Sequence, residues 1–319
     1  MTVTVDNPQE RKQVHVVPAS ADTRLSKVRV IALLGSHEVF GKERANIEVF
    51  KTLRGQGAQV KVGVTARFNG GDVRKQVEML GFETFAMPFG CQWSKTFFRR
   101  HPSLLPDNLS KVFRCCRVLA RQVREWRATH VHLANPMVYS FIAPYLRWNR
   151  SLNLVYRAGD SPPLDSRPNL IIWRSLAERA DQIVAISRFI RSRVQGARKH
   201  SEGEVSVIYN TAPSLQGLSP AEPATISLEE GRTTRPDADQ PLRLLYVGQI
   251  SKHKGVVELI DACAQLLAQG ADLRLSLVGG SMYTKEFEDS QKQRVSDLGL
   301  SEHIQFHGYV TDPAKFYQL

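Results

Sequence analysis

A membrane-spanning segment is the first thing this 319-residue chain lacks. A helix that crosses a bilayer needs ~20 consecutive apolar residues, and the best apolar runs here, such as Val28–Leu34, are only of strand length. The opening stretch MTVTVDNPQERKQVHVVPAS is polar and has no apolar core of the kind a signal peptide carries. Residues 1–26 therefore read as a loose tail. Cysteine is scarce as well: Cys91, Cys115, Cys116 and Cys263 form no C-x-x-C pair and no metal-ligand spacing. Free thiols in a reducing cytoplasm fit that usage. No G-x-G-x-x-G is present, which disfavours a dinucleotide-binding dehydrogenase. No internal repeat is evident, so solenoid architectures are set aside.

What the chain does have is positive charge, and it is unevenly placed. Residues 1–210 hold 33 Lys and Arg against 17 Asp and Glu, whereas residues 211–319 hold 10 against 14. The net charge of +12 thus belongs to the first part alone. Such a surface can face nucleic acid, anionic lipid or an acidic acceptor. Two stretches concentrate it. Trp93, Lys95, Phe97, Phe98, Arg99 and Arg100 interleave aromatics with cations, and the helical pattern after Pro106 carries Lys111, Arg114, Arg117, Arg121 and Arg124 at three- and four-residue spacing. That spacing gathers the cations on one side and leaves Val112, Cys116, Leu119 and Val123 for the core. A solvated helix face and a headgroup-binding stripe are both compatible with it. No recognised nucleic-acid-binding motif accompanies the charge.

Strand-like and helical patterns alternate from one end to the other, which predicts a parallel sheet covered on both faces. Strands are expected at Val28–Leu34, Gln59–Val64, Thr84–Met87, His130–Leu133, Leu152–Arg157, Gln182–Ile186 and Val205–Ile208. Helices are expected between them at Glu43–Gly55, Gly71–Leu80, Asn108–Arg127, Met137–Trp148, Leu170–Ala180 and Arg188–Ala197. Residues 211–240, with four prolines and no periodicity, read as a linker between a domain at 27–210 and a second at 241–319. Asp237 and Asp239 spell a D-x-D inside that linker, after a Pro/Thr-rich loop and not at a strand end, so no metal is assigned to them.

Beyond the linker, Leu242–Gly255 reads LRLLYVGQISKHKG. An apolar strand ends in Gly248, and a short polar loop brings Gln249 and Lys254 to the start of a helix expected at Gly255–Gln269. Unpaired N–H groups and the positive dipole end there favour an anion such as phosphate. SLVGG follows at Ser276–Gly280, with Gly279 and Gly280, and then IQFHGYV at Ile304–Val310. These three pieces, in this order, resemble the C-terminal domain of family-4 retaining glycosyltransferases (glycosyl transferases group 1), which have the GT-B fold and carry VGRLxxxKG, LVGxG and FxGxV. The resemblance implies an α/β protein of two Rossmann-like doubly wound domains facing a cleft.

The first part resembles the same family. Gly41-Lys42-Glu43-Arg44 is similar to the GGxER segment, with Lys42 read in place of its second glycine. His130–Pro136 is similar to the strand ending in HxHxP-like residues, Ala180–Ser187 to ADxIVAxS, and Val207–Asn210 to VIxN. Leu154–Asp160 aligns with a strand after which many members carry a histidine near the acceptor; Gly159 takes that place here and Asp160 follows.

The resemblance implies sugar transfer, with retention, from a nucleotide-sugar donor to an acceptor hydroxyl. The favoured acceptor class is cell-envelope polysaccharide or lipid-linked glycan, and the enzyme is expected in the cytoplasm or peripherally on the inner face of a membrane. Donor-binding residues carried over are Gly41, Lys42, Gly248, Gln249, Lys254, Gly279 and Gly280. Lys254 matches the family's phosphate-binding lysine, while Gln249 replaces an arginine by an amide that donates a hydrogen bond but brings no charge. Asp160 is the candidate for orienting the acceptor hydroxyl, its plainer alternative being a turn aspartate before Ser161-Pro162-Pro163. His132 and Asn210 are expected at the cleft. No cofactor or metal is implied, since the nucleotide-sugar is a substrate. The family's later segment, with an E-x7-E pattern, has no counterpart before Leu319, so an incomplete second domain and a non-catalytic remnant are the rival expectation.

Overall fold

Parallel strands cannot be joined by tight turns, because the chain must be carried back to the same end of the sheet before it can pair again. The chain meets that requirement with helices. Its computed structural model describes residues 25–91, 93, 95–198, 204–210, 241–281, 285–310 and 313–318. The expected tail up to residue 24 and the linker at 211–240, with Asp237 and Asp239, lie outside the described residues. Two compact units result, Met1–Pro213 and Ser214–Leu319.

In the first unit β1 (Arg29–Leu34), β2 (Gln59–Thr65), β3 (Glu83–Met87), β4 (His130–Leu133), β5 (Asn153–Ala158), β6 (Gln182–Ala185) and β7 (Val205–Val207) form one sheet in the order β3-β2-β1-β4-β5-β6-β7. Every pairing in it is parallel. The helices are α1 (Gly41–Gly55), α2 (Gly71–Met79), α3 (Lys95–Arg100), α4 (Leu104–Trp126), α5 (Pro136–Ser140), α6 (Ala143–Trp148), α7 (Arg167–Arg179) and α8 (Arg188–Ala197). The two-residue alternation of strands sorts side chains between two cores. Val30, Ala32 and Leu34 join Ile47 and Phe50 of α1 and Val73 and Val77 of α2. Ile31 and Leu33 join Leu119, Val131, Leu133 and Trp173 on the other face.

Three expectations are corrected here. The helix expected over Met137–Trp148 is two short ones, because Pro144 in the first turn of α6 has no N–H to continue the preceding helix and restricts the residue before it. The helix expected at Asn108–Arg127 starts earlier, at Leu104, with Pro106 in the first turn, where a missing N–H costs nothing. On that helix Cys115, not Cys116, is the deeply buried thiol; with Asn108, Leu119, Gln122 and Val123 it forms the core face.

The second unit pairs β8 (Leu242–Val247), β9 (Leu273–Val278) and β10 (Ile304–Gly308) in the order β10-β9-β8, again parallel. Helices α9 (Val256–Ala268) and α10 (Glu286–Asp297) supply Val256, Ile260, Cys263 and Val295 to a core with Leu273, Leu275, Leu277 and Ile304. Among the described strands β8 is an edge. Leu242, Leu245 and Val247 are accordingly exposed despite their apolar character.

One buried charge fastens several pieces of the first unit. Arg179, at the end of α7, is 3% exposed. Its Nε donates to the carbonyl of Leu146 at 2.7 Å, Nη1 to Asp181 Oδ2 at 2.8 Å, and Nη2 to the carbonyls of Asn149 and Leu152 at 3.1 and 2.8 Å. Asp181 Oδ2 also accepts the N–H of Leu154 at 2.7 Å. The end of α6, the entry to β5 and the start of β6 are thereby tied together. Replacing Arg179 by Met leaves three carbonyls and a carboxylate without their donor. Asp181 is half exposed and keeps the Leu154 N–H, but a buried acceptor left unpaired costs about 1–3 kcal/mol, so urea denaturation of Arg179→Met is expected to show a loss of at least that order.

Candidate functional site

In a parallel sheet the loops after the strands emerge at one edge, and that edge is where ligands of such folds bind. In the second unit it is knitted by glycines. Gly248 N–H donates to the carbonyl of Val278 at 2.9 Å, Ile250 N–H to that of Gly280 at 3.1 Å, and Gly279 N–H to that of Gly308 at 2.9 Å. Gly279 has φ +146°, and a Cβ there would lie 1.7 Å from the carbonyl oxygen of Gly248. Only glycine lets the strand ends close this tightly. The loop that leaves this knot carries Gln249, half-buried, whose carbonyl accepts the Tyr246 hydroxyl at 2.8 Å. Lys252, His253 and Lys254 then form an exposed 3-10 turn. Gly255, at φ +73°, turns the chain into α9. Lys254 thus stands, solvent-facing, just before a helix N-terminus.

In the first unit the corresponding edge begins at Gly41, which opens α1 behind the N-cap residue Phe40. Glu43, the third helical residue, is 8% exposed and accepts the backbone N–H groups of Phe40 and of itself. It reaches back to the N-cap as in one half of a capping box. Burial is the largest influence on its carboxyl and raises its pKa, against the backbone hydrogen bonds and Lys42. Counted back from Glu43-Arg44, Gly41 takes the place of the second glycine in GGxER and Phe40 that of the first. Lys42 therefore falls at the variable position, which corrects the reading that it replaces a glycine. Its Nζ meets Asp160 Oδ2, beyond β5, at 2.5 Å, with side chains 33% and 70% exposed. An ion pair this open to water contributes little stability and is easily exchanged for another partner.

Beneath this surface lies a buried polar chain. Asn46 Nδ2 donates to the carbonyl of Lys42 at 2.8 Å, which leaves its Oδ1 to accept from His132 Nε2 at 2.9 Å. His132 packs edge-on against Phe50 with centroids 5.4 Å apart. It was expected to line a cleft; it is instead 5% exposed, on the α1 side of the sheet. Burial, and secondarily the charge of Arg157, push its pKa down to about 4, so it is neutral near pH 7. Arg157, at the end of β5, is also 5% exposed, and its Nη2 donates to Asn210 Oδ1. Asn210 itself is exposed just past β7.

Beside Asp160 opens a pocket of ≈ 270 Å³ lined by Trp93, Asn135, Tyr156, Ser161, Asn169 and Trp173 among others. Its aromatic walls are fixed: Trp93 Nε1 donates to Ser140 Oγ at 2.8 Å, and Trp173 Nε1 to the Tyr156 hydroxyl at 3.2 Å. Tyr156 and Trp173 are buried and form its floor, so Trp93 and the polar groups at the rim are what a ligand would meet. Among the described residues no group of three or more His, Cys, Asp or Glu converges as metal ligands, and no helix is long and apolar enough to cross a membrane.

The structure therefore brings Gly41, Lys42 and Asp160 together in one unit, and Gly248, Gln249, Lys254, Gly279 and Gly280 in the other. Sequence reasoning passed over Glu43, Asn46, Arg157 and the pocket. A charged residue closing an apolar strand, as in Leu154-Val155-Tyr156-Arg157, was the available signal for the third of these.

The sequence profile described as Glycosyltransferase Family 4 matches residues 41–212, and that of Glycosyl transferases group 1 matches residues 229–319. No curated protein matches the chain. Solved structures similar to it include Anabaena Alr3699/HepE in complex with UDP and glucose, at 21% identity and a TM-score of 0.63, covering 91% of this chain and 71% of that one. A glycosyltransferase from Rickettsia africae ESF-5 aligns at 18% identity and TM-score 0.61 over 91% and 70%. Sucrose-phosphate synthase from Thermosynechococcus elongatus aligns at 16% and 0.63 over 91% and 72%. The two parallel-sheet units are those of the GT-B fold class.

The buried imidazole has a measurable consequence. Below its ordinary value of 6.5 the unfolded chain takes up a proton at His132 that the folded chain refuses until about pH 4. Stability from this group is therefore lost as pH falls through that window, by up to about 3 kcal/mol. Glu43, raised by burial, acts in the opposite sense. Denaturation series between pH 7 and 4.5 should show the loss in the wild type and a flatter profile in His132→Gln, which keeps a donor for Asn46 but does not titrate.

Proposed function

The chain belongs to glycosyltransferase family 4, and we propose that it moves a sugar from a nucleotide-sugar donor to an acceptor hydroxyl, with retention of configuration. The observation that carries the donor reading is Lys254, exposed beside the N-terminus of α9 in a loop held by the glycine knot. Cation and helix end favour a diphosphate there, with Gln249 adding a neutral amide. The likeness to a structure containing UDP supports UDP as the nucleotide to try first. The group is an enzyme family of the glycosyltransferase type, so donor chemistry follows: the bond between the sugar and the diphosphate breaks, and the acceptor oxygen forms the new bond. The acceptor's proton passes to a phosphate oxygen. Positive charge and N–H groups meet the negative charge that develops on the leaving group.

The acceptor is assigned to the first unit, in the pocket bounded by Trp93, Tyr156 and Trp173. A sugar ring of a polysaccharide or lipid-linked glycan fits such walls, and Asp160 at the rim would accept a hydrogen bond from its hydroxyl. Asp160 is free to do so because its bond to Lys42 is solvent-exposed and exchangeable. Calorimetry with UDP should show binding to the wild type, weakened by roughly 1.5–3 kcal/mol in Lys254→Ala through loss of a charge-assisted contact. Equal affinities would remove Lys254 from the site. Failure of the chain to transfer sugar from any nucleotide-sugar to glycan acceptors would remove the reaction itself.

A peripheral membrane location is supported by α4. Arg114, Arg117, Arg121 and Arg124 are all exposed on it, beside Leu109 and Phe113, which are 56% and 70% exposed. Cations flanking exposed apolar side chains match the two components of attachment to an anionic bilayer, each cation contributing about 1 kcal/mol near the surface. Co-sedimentation should rise with the vesicles' anionic lipid content and fall with salt, and Phe113→Asp should weaken it. Indifference to lipid charge would reduce this face to an ordinary solvated one.

A further inference from the structure

Among the described residues of the first unit two arginines are buried, and their surroundings differ. Arg179 is matched by one carboxylate and three carbonyls. Arg157, 5% exposed, has a single hydrogen bond among the described residues, from Nη2 to the amide oxygen of Asn210. No carboxylate pairs with it among those residues. Asp160, three residues on, meets Lys42 instead, in a solvent-exposed pair, and Glu43 is turned back onto its own helix end. The nearby imidazole, His132, is neutral and bonded away to Asn46. A guanidinium taken out of water without a counter-charge is costly, and it offers five N–H donors in a planar fork. It sits at the end of β5, on the sheet edge where loops and ligands gather, and its tip meets the exposed Asn210 side chain.

We propose that Arg157, with the Asn210 amide beside it, is a seat for a phosphoryl group on the first unit. The planar fork matches two phosphate oxygens at once. The phosphate is one carried by the acceptor. The seat stands on the first unit alone; only the naming of its phosphate as an acceptor's rests on the transfer reaction proposed above.

The test uses the full-length protein, with Arg157→Met and Arg157→Lys, and three probes: UDP, geranyl monophosphate and inorganic phosphate. Binding of geranyl monophosphate is expected to fall about tenfold or more in Arg157→Met, with partial retention in Arg157→Lys, while UDP affinity, which reads the donor site, is unchanged. Undiminished binding of geranyl monophosphate by Arg157→Met would overturn the proposal. Thermal melting supplies the second readout. Inorganic phosphate should raise the melting temperature of the wild type and not that of Arg157→Met, which without anions should melt no lower than the wild type. A variant that melts well below the wild type yet binds all three probes equally would show a purely structural arginine and overturn the seat. Absence of UDP binding by the wild type would count against the transfer reaction, while the other two probes would still decide on Arg157.

Discussion

Parallel pairing is the constraint on which the rest of this molecule depends. A strand that pairs in parallel must be followed by a crossover, and a crossover begins at the C-terminal end of its strand. The seven described strands of one sheet therefore release their loops at one edge of it, and the three described strands of the other sheet do so at an edge of their own. Gly41 and Lys42, Asp160, and Asn210 lie in three different stretches of sequence but share the first sheet's edge through β1, β5 and β7. The knot of Gly248, Gly279, Gly280 and Gly308 is the same constraint seen at atomic scale. At Gly279 the strand ends are drawn so close that a Cβ would meet the carbonyl oxygen of Gly248, and the segment that follows each strand has to leave as a loop.

Much of this architecture was legible in the sequence, because it rests on features local to each segment. An apolar run of strand length closed by glycine marks β8, and Leu242–Val247 carries the expected bounds. Helix α8 likewise occupies Arg188–Ala197 as its pattern implies, with the preceding Ser187 accepting the Ile190 N–H. The misreadings concern which neighbour a residue faces. One step along a helix turns a side chain by about 100°, and that step separates Cys115, in the core, from Cys116 at its margin. One step along a strand reverses the face. Val131 and Leu133 therefore enter one core, and His132 points to the other side, where α1 happens to cover it. Nothing in HVHLANP states that a helix 86 residues earlier will supply Asn46 as its partner.

The same logic explains why the candidate site divides as it does. Lys42, Asp160 and Lys254 are exposed and loosely held, so they can change partners when a charged ligand arrives. The residues beneath them cannot. Asn46, His132 and Glu43 are buried, each committed to a specific hydrogen-bond partner, and they fix the first turn of α1 against β4. A site of this kind separates rigidity from exchange: the buried hydrogen-bonded residues set positions, and the surface cations provide attraction.

Arg157 fits neither half of that division, which is why it carries weight. It is as buried as the positioning residues but charged like the surface ones, and its field helps keep His132 unprotonated. Were His132 to take up a proton, two like charges would face each other in the same low-dielectric layer. Neutrality of the imidazole and charge on the guanidinium are thus one arrangement, in which burial places the single positive charge on the side chain whose ordinary pKa is far above neutrality. The result is a fixed cation beneath the edge of the sheet. It holds its charge across the pH range in which a phosphate is dianionic, and a histidine at the same place would lose its own.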